Sequence, residues 1–134
     1  TRYYLKGDAF AAIIGAMCSL GYGYYHGSGF SDKEGRSVGS KSHYNGINGD
    51  FRYLGIGGCH KDGPVLVSQK DRFDWNANVK FVNALYLFGY KAFGSQVMRR
   101  KGQENKVLPH VVFTNGDHDN HLHIQGYQPN IQDI

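Results

Sequence analysis

Histidine and acidic residues gather in two short segments whose residue types suit metal binding. Three of the seven histidines, His118, His121 and His123, fall within six residues near the end of the chain. If this segment is a β-strand, His121 and His123 point to one face, because residues two apart in a strand do so. Leu122 and Ile124 then face the core, and the strand presents two imidazoles to one point.

A third and a fourth candidate lie in the segment Ser-His-Tyr-Asn-Gly-Ile-Asn-Gly-Asp, residues 42–50, where His43 is followed seven positions later by Asp50. Gly46 and Gly49 allow the intervening loop to turn tightly. Zinc binds imidazole nitrogens and carboxylate oxygens, and a catalytic zinc centre uses three protein ligands and one open position. We therefore predict that His43, Asp50 and His123 bind one zinc ion per chain.

The composition is that of one globular domain spanning residues 1–134, with 40% hydrophobic and 19% charged residues. The net charge is +4, and the pI is about 9.1. A basic surface can attract nucleic acid, an anionic membrane or an acidic polymer such as cell wall. The lysines and arginines are scattered, and their densest cluster, residues 99–101, is expected to be a solvated turn. No apolar run is long enough for a transmembrane helix.

The elements that would position the candidate ligands alternate between helix and strand periodicity. We predict a helix with Asp8 as its N-cap that ends near Gly21, and a second with Asp74 as its N-cap that ends near Phe88. Strands are predicted at residues 22–26, 50–54, 91–98, 110–114 and 121–124, with long Gly-rich loops at 27–49 and 55–73. The expected fold is α+β, a central antiparallel sheet with flanking helices. Cys18, in an apolar run, is expected to be buried, and a Cys18–Cys59 pairing is left open.

The two segments together resemble the zinc peptidases that cut bacterial peptidoglycan. The pattern is Ser-His-x-x-Gly-x-x-x-Asp at residues 42–50, followed by His-Asp-Asn-His-Leu-His at 118–123. It is most similar to the penicillin-insensitive murein endopeptidases, within a group that includes D-Ala-D-Ala carboxypeptidases, lysostaphin-type enzymes and the hedgehog fold. The resemblance covers about 20 residues in two blocks.

This resemblance implies a compact, hedgehog-like sheet fold and a zinc-dependent endopeptidase that uses a metal-activated water. His43, Asp50 and His123 would hold the zinc, His121 would act as the general base or transition-state stabiliser, and His118 would be a second catalytic histidine that matches one in the family's late block. The substrate would be peptidoglycan or its peptide fragments, and the location would be periplasmic or secreted. Nucleic acid is not an expected partner.

Two positions depart from the pattern. Asn120 stands where the carboxypeptidase branch has a glutamate, which favours a histidine as the base. Gly49 replaces an expected apolar residue, which predicts a later start of the strand.

Several other residues have expected roles near the site. Arg52 lies two positions past Asp50 and therefore on the same strand face, where it can bind a substrate carboxylate in a bidentate way. Tyr44 and Tyr53 are expected either to line the groove or to pack in the core or at its rim, and Asp117 or Asp119 to orient an imidazole. The remaining histidines, of which His110 is expected to come nearest the site, are interpreted as structural: His26, His60 and His110.

Two other functions stay open from the sequence. A metal-containing binding module of the same fold would bind zinc without cleaving a substrate, although the retention of both His121 and His123 argues against it. A metal-dependent nuclease is compatible with the basic pI and the clustered histidines. Two-metal nuclease sites, however, need more carboxylates than Asp50 and two distant candidates provide.

Overall fold

Two α-helices and five β-strands form the regular structure of residues 2–57 and 63–129, the part of the chain that a computed structural model describes. In chain order these are α1 (Gly7–Ser19), β1 (Gly27–Gly29), β2 (Gly49–Arg52), α2 (Trp75–Leu87), β3 (Tyr90–Ser95), β4 (Val111–Thr114) and β5 (His121–Tyr127). A short 3-10 turn, Gly116–His118, lies between β4 and β5. The α+β class is confirmed.

The strands form one sheet in the order β1-β2-β5-β3-β4, with β5 at its centre. Neighbouring strands are antiparallel except for β3 and β4, which are parallel. The prediction of a wholly antiparallel sheet is therefore wrong at this edge. Residues 115–120 do not close a hairpin, because β5 lies between β2 and β3 and leaves β4 on the far side of β3.

Helix α1 begins earlier than predicted and packs against α2 through small side chains. Its N-cap is Lys6, without a side-chain cap, and Asp8 lies in the first turn. The buried face is made mostly of small residues, Ala9, Ala12, Ile13 and Ala16, which let the helix lie close to α2. Cys18 is exposed, contrary to our expectation, and Phe10 is 52% exposed. Cys59 lies outside the described residues.

Helix α2 follows its predicted course. The carboxylate of Asp74 accepts a hydrogen bond from the Ala77 N–H at 2.9 Å, which satisfies one of the free donors of the first turn. Gly89, with φ of 118°, ends the helix and leads into β3. The buried amide of Asn78 binds both the N–H and the carbonyl of Leu54, which ties α2 to the end of β2.

The strand predicted at residues 22–26 is not formed; β1 occupies Gly27–Gly29 instead. Two tyrosines of this segment, Tyr22 and Tyr25, pack against the core, and Tyr25 stacks on Phe81 of α2 with ring centroids 4.0 Å apart. Aromatic burial at this position therefore outweighs strand pairing. Residues 30–48 form a loop, as predicted.

The two faces of the sheet differ in chemistry. Phe51, Leu122 and Ile124 are buried on the face that meets α2, and the Phe51 and Phe81 rings pack edge-on with centroids 5.6 Å apart. The alternate residues of β2 and β5, Asp50 and His123 among them, point to the other face. The helices therefore support the sheet from behind, and the candidate ligands lie on its front. Within the described part of the chain, no helix is long and apolar enough to cross a membrane.

Candidate metal centre

The two segments singled out in the sequence meet in the sheet. Strands β2 and β5 pair so that Asp50 lies opposite His123 and Arg52 lies opposite His121. His43 comes from the loop before β2, which turns at Gly46 with φ of 64°. This loop brings His43 over the front face of the sheet, beside the Asp50–His123 pair.

The facing atoms of His43, Asp50 and His123 converge on a small volume. Oδ1 of Asp50 lies 3.1 Å from Nε2 of His43 and 2.9 Å from Nδ1 of His123, and the two nitrogens are 3.2 Å apart. Ligands bound tetrahedrally at ~2.0–2.1 Å from zinc would be about 3.3 Å from one another. The three residues therefore have the spacing and the donor types of a metal centre, and the same spacing also allows hydrogen bonds to Oδ1.

Burial limits water access to the cluster. His43 is 1% exposed and His123 is 5% exposed, so neither ring is a freely solvated surface residue. The ring planes are nearly parallel, with an interplanar angle of 15°. Buried polar groups need partners, and each imidazole here uses the others and a second set of contacts outside the cluster.

The outer nitrogen of His123 has acceptor partners. Nε2 lies 3.2 Å from Oε1 of Gln125 and 3.3 Å from Oγ of Ser42. Nδ1 is the nitrogen that donates to the Asp50 carboxylate at 2.9 Å, and if its proton moves to Nε2, the oxygens of Gln125 and Ser42 can accept it. A metal-binding histidine usually donates its outer N–H to an acceptor of this kind, which fixes the orientation of the ring.

Arg2 contacts the outer atoms of the other two candidate ligands. Its Nη2 lies 2.5 Å from Nδ1 of His43 and 3.4 Å from Oδ2 of Asp50. The sequence contains no signal for this contact, since Arg2 and His43 are 41 residues apart. Arg2 is a hydrogen-bond donor, whereas the groups beside the outer nitrogen of His123 are oxygens.

The charge state of Asp50 follows from opposing effects. Burial acts to raise its pKa, but hydrogen bonds from His123 and His43 and the nearby positive charges hold the pKa well below its usual value. Asp50 is therefore a carboxylate throughout the physiological pH range. It is the anionic member that a divalent cation site requires.

His121 lies beside the cluster without being part of it. Its Nε2 is 3.8 Å from Oδ1 of Asp50, beyond hydrogen-bond distance, and its Nδ1 lies 2.7 Å from Oδ1 of Asn120. An Nδ1–H donated to that amide oxygen leaves the Nε2 lone pair directed at the cluster. Burial lowers the pKa of His121 below its ordinary value, against the opposing charge of Asp50, which keeps the ring neutral near pH 7.

His118 also lies close to the cluster. Its ring centroid is 4.8 Å from that of His121, and its Nδ1 contacts the Oδ1 of Asn115. Burial is the main cause that lowers its pKa. The backbone carbonyl of His118 accepts a hydrogen bond from the buried Tyr53 hydroxyl at 2.9 Å, which fixes the turn that carries the ring.

The acidic residues expected to orient an imidazole do not do so. Both carboxylate oxygens of Asp119 accept hydrogen bonds from Ser68, through its N–H and its hydroxyl. Asp117 is exposed and acts on His118 through its charge. The amides of Asn115 and Asn120 take the orienting role instead.

Two depressions flank the cluster and share Asp50 and His121 in their walls. The larger, of about 500 Å³, is lined by Lys41, His118 and Phe113 among others. The smaller, of about 260 Å³, contains Arg52, as predicted from its strand position. Because Asp50 and His121 line both, the two depressions adjoin there, and together they are termed the groove. Tyr44 is 56% exposed and lies outside the residues that line either depression.

Glycines make room for the rings that support the site. A Cβ at Gly49 would lie 2.3 Å from the Phe30 ring, so the ring occupies the space of the apolar side chain we expected there. Strand β2 consequently begins at Gly49, and the prediction of a later start is wrong. A Cβ at Gly94 would likewise lie 2.2 Å from the Phe113 ring, which lines the groove.

The other histidines have separate surroundings. His110 does not border the site, contrary to our expectation: its ring stacks on Tyr86 of α2 at 3.8 Å, and its Nε2 binds Asn83. The backbone carbonyl of His26, just before β1, accepts a hydrogen bond from the backbone N–H of Arg52 in β2. His60 lies outside the described residues.

Among the partners that sequence reasoning missed, only Gln125 had a usable signal. Strand alternation places residues 121, 123 and 125 on one face, so the Gln125–His123 contact follows from the same argument as the histidine pair. Arg2 and Ser42 reach the site through loops, whose paths have no periodicity. Comparison with known proteins adds no assignment, since no family model, curated protein or solved structure matches this chain.

Proposed function

We propose that this chain is a zinc-dependent peptidase that hydrolyses amide bonds in peptidoglycan stem peptides or cross-links. The observation that supports the proposal best is the convergence of His43, Asp50 and His123 beside a fourth, neutral histidine in an open groove. The sequence resemblance to murein endopeptidases names the substrate and a hedgehog-like fold. A periplasmic or secreted location follows from that substrate.

His43, Asp50 and His123 would hold the ion through the three atoms that face one another. The donor set of two imidazoles and one carboxylate is one that catalytic zinc sites use. A bound zinc ion supplies Lewis acidity, which polarises a carbonyl and lowers the pKa of a water molecule. The net charge of the ion and the Asp50 carboxylate is +1, which suits a developing oxyanion.

His121 is the proposed general base. Its Nδ1–H is held by Asn120, so its Nε2 lone pair faces the same volume as the cluster atoms. A neutral imidazole in this position can take a proton from a water molecule and return it to the leaving amine. His118, with its Nδ1 at Asn115, presents its own Nε2 from the adjacent wall and can hydrogen-bond to the substrate.

The groove suits an extended, acidic peptide. Arg52 lies in one depression and Lys41 in the other, so a cation is available on each side of the candidate centre. The guanidinium of Arg52 can bind a carboxylate in a bidentate way. A peptide that crosses the groove would place its amide next to His121 and its carboxylates against these cations.

The test is a digest of purified peptidoglycan with the wild type, His121→Ala and a matched control, His110→Ala. We expect soluble muropeptides from the wild type and the control, because His110 stacks on α2 away from the groove. Loss of a general base typically costs about 10²–10⁴-fold in rate, so His121→Ala should be nearly inactive while still binding zinc. Full activity of His121→Ala would refute the role of this residue. Zinc binding with no cleavage by the wild type would favour the binding-module alternative.

A further inference from the structure

Arg2 faces two of the three candidate ligands and is held there by neighbouring structure. Its backbone carbonyl accepts a hydrogen bond from Phe30 N–H at 2.7 Å, and its Nε lies 3.4 Å from the Phe30 carbonyl oxygen. A Cβ at Gly29 would lie 2.7 Å from the guanidinium, so the glycine makes room for it. The next residues are bound as well, through Tyr4 N–H to Ser31 and Lys6 N–H to Gly46.

The contact between Arg2 and His43 specifies where the proton of this imidazole lies. A guanidinium has N–H donors and no acceptor, so at 2.5 Å Nδ1 of His43 must accept with its lone pair. The proton of a neutral His43 is then on Nε2, where it points to Oδ1 of Asp50 at 3.1 Å. Arg2, His43 and Asp50 thus form a closed hydrogen-bonded ring.

Metal binding requires the opposite arrangement. An ion that binds His43 would use the Nε2 lone pair, because Nε2 is the nitrogen that faces Asp50 and His123. The imidazole proton would then move to Nδ1, where it would meet an N–H of Arg2. Two donors cannot share a 2.5 Å contact, so the ion and the Arg2–His43 hydrogen bond exclude each other.

The two histidines of the cluster are therefore unlike. The outer nitrogen of His123 lies beside oxygens of Gln125 and Ser42, which can accept its proton when the inner nitrogen, now 2.9 Å from Oδ1 of Asp50, binds an ion. His43 has a donor on its outer nitrogen, which keeps a proton on the inner one. His123 can therefore bind an ion by moving its proton to Nε2, whereas His43 must first part from Arg2.

We propose that Arg2 is an internal competitor for the metal: it closes the cluster when no ion is bound and must leave His43 for an ion to enter. This inference rests on the metal centre of the proposed function, but it does not require the peptidase activity. Arg2 is thus a positioning residue that lowers the apparent metal affinity through its hydrogen bonds to His43 and Asp50.

The test is a competition titration of zinc with a chromophoric chelator, using the metal-free wild type, Arg2→Met and Arg2→Lys. A hydrogen bond to a charged group is typically equivalent to about a 10–100-fold change in an equilibrium constant, so we expect zinc to bind Arg2→Met more tightly by that factor. Arg2→Lys keeps the charge and has N–H donors on an ammonium group instead of a guanidinium, and it should fall between the other two proteins. Circular dichroism checks that each variant is folded.

The matched control is Arg52→Met, which removes a cation near Asp50 that has no contact with His43. It should change the zinc affinity by less than about threefold, because a general change in local charge is screened. An unchanged or weaker affinity in Arg2→Met would overturn the inference, as would the absence of zinc binding in both the wild type and Arg2→Met. Tighter binding in Arg2→Met without cleavage of peptidoglycan would uphold the inference and contradict the proposed peptidase.

Discussion

Substitution of Gly46 by alanine tests whether the loop that carries His43 needs a glycine at its turn. Gly46 has φ of 64°, in a region that costs a residue with a Cβ roughly 1–2 kcal/mol. An added Cβ would also lie 2.5 Å from the carbonyl oxygen of Tyr4 and 2.7 Å from the backbone nitrogen of Lys6. These are backbone atoms and cannot rotate away, so overpacking adds about 1–3 kcal/mol. We expect Gly46→Ala to lower the free energy of unfolding by about 2–5 kcal/mol.

Gly21→Ala is the matched control, because Gly21 has φ of 68° and nothing within 4 Å of the added Cβ. It should lose only the conformational part, about 1–2 kcal/mol. Urea unfolding of the metal-free proteins measures both, with equal m-values as the check that the compactness of the states is unchanged. If the two variants agree within about 0.5 kcal/mol, the close approach of residues 4–6 to this loop is refuted.

Two further substitutions examine the support of the site. Burial raises the pKa of the Tyr53 hydroxyl, so the protonated hydroxyl contributes its full stabilisation below about pH 10, and this contribution is lost as the pH rises further. Urea unfolding of Tyr53→Phe should therefore show a smaller decline in the free energy of unfolding at alkaline pH than the wild type, and an equal decline would contradict this cause. Gly94→Ala should turn the Phe113 ring into the groove and cost about 1–3 kcal/mol, whereas Gly116→Ala, whose Cβ would meet only Gln96 at 3.9 Å, should be neutral in the same assay.

Features that depend on neighbouring residues, such as helix ends and the alternation of side chains along a strand, were predictable from the sequence. The N-cap at Asp74 and the positive-φ glycine at position 89 define α2 within a few neighbouring residues, and the structure confirms both ends. The shared face of His121 and His123 follows from strand alternation alone. The convergence of these histidines with Asp50 needed only that β2 and β5 be neighbours.

Features set by distant contacts were not predictable. The parallel edge of the sheet depends on β5 entering between β2 and β3, and the segment between β4 and β5 contains no signal of that path. The burial of α1 through alanines, with Phe10 outside, depends on how closely it approaches α2. Orientation of the site histidines by Asn115 and Asn120 depends on side-chain rotamers, which spacing does not specify.

The most direct test of the central claim is elemental analysis of the purified chain combined with a peptidoglycan digest, with and without a chelator. We expect about one zinc per chain, as a three-ligand centre requires, and muropeptide products that disappear on chelation and return with added zinc. A chain that binds no metal even after reconstitution with zinc would contradict the centre formed by His43, Asp50 and His123.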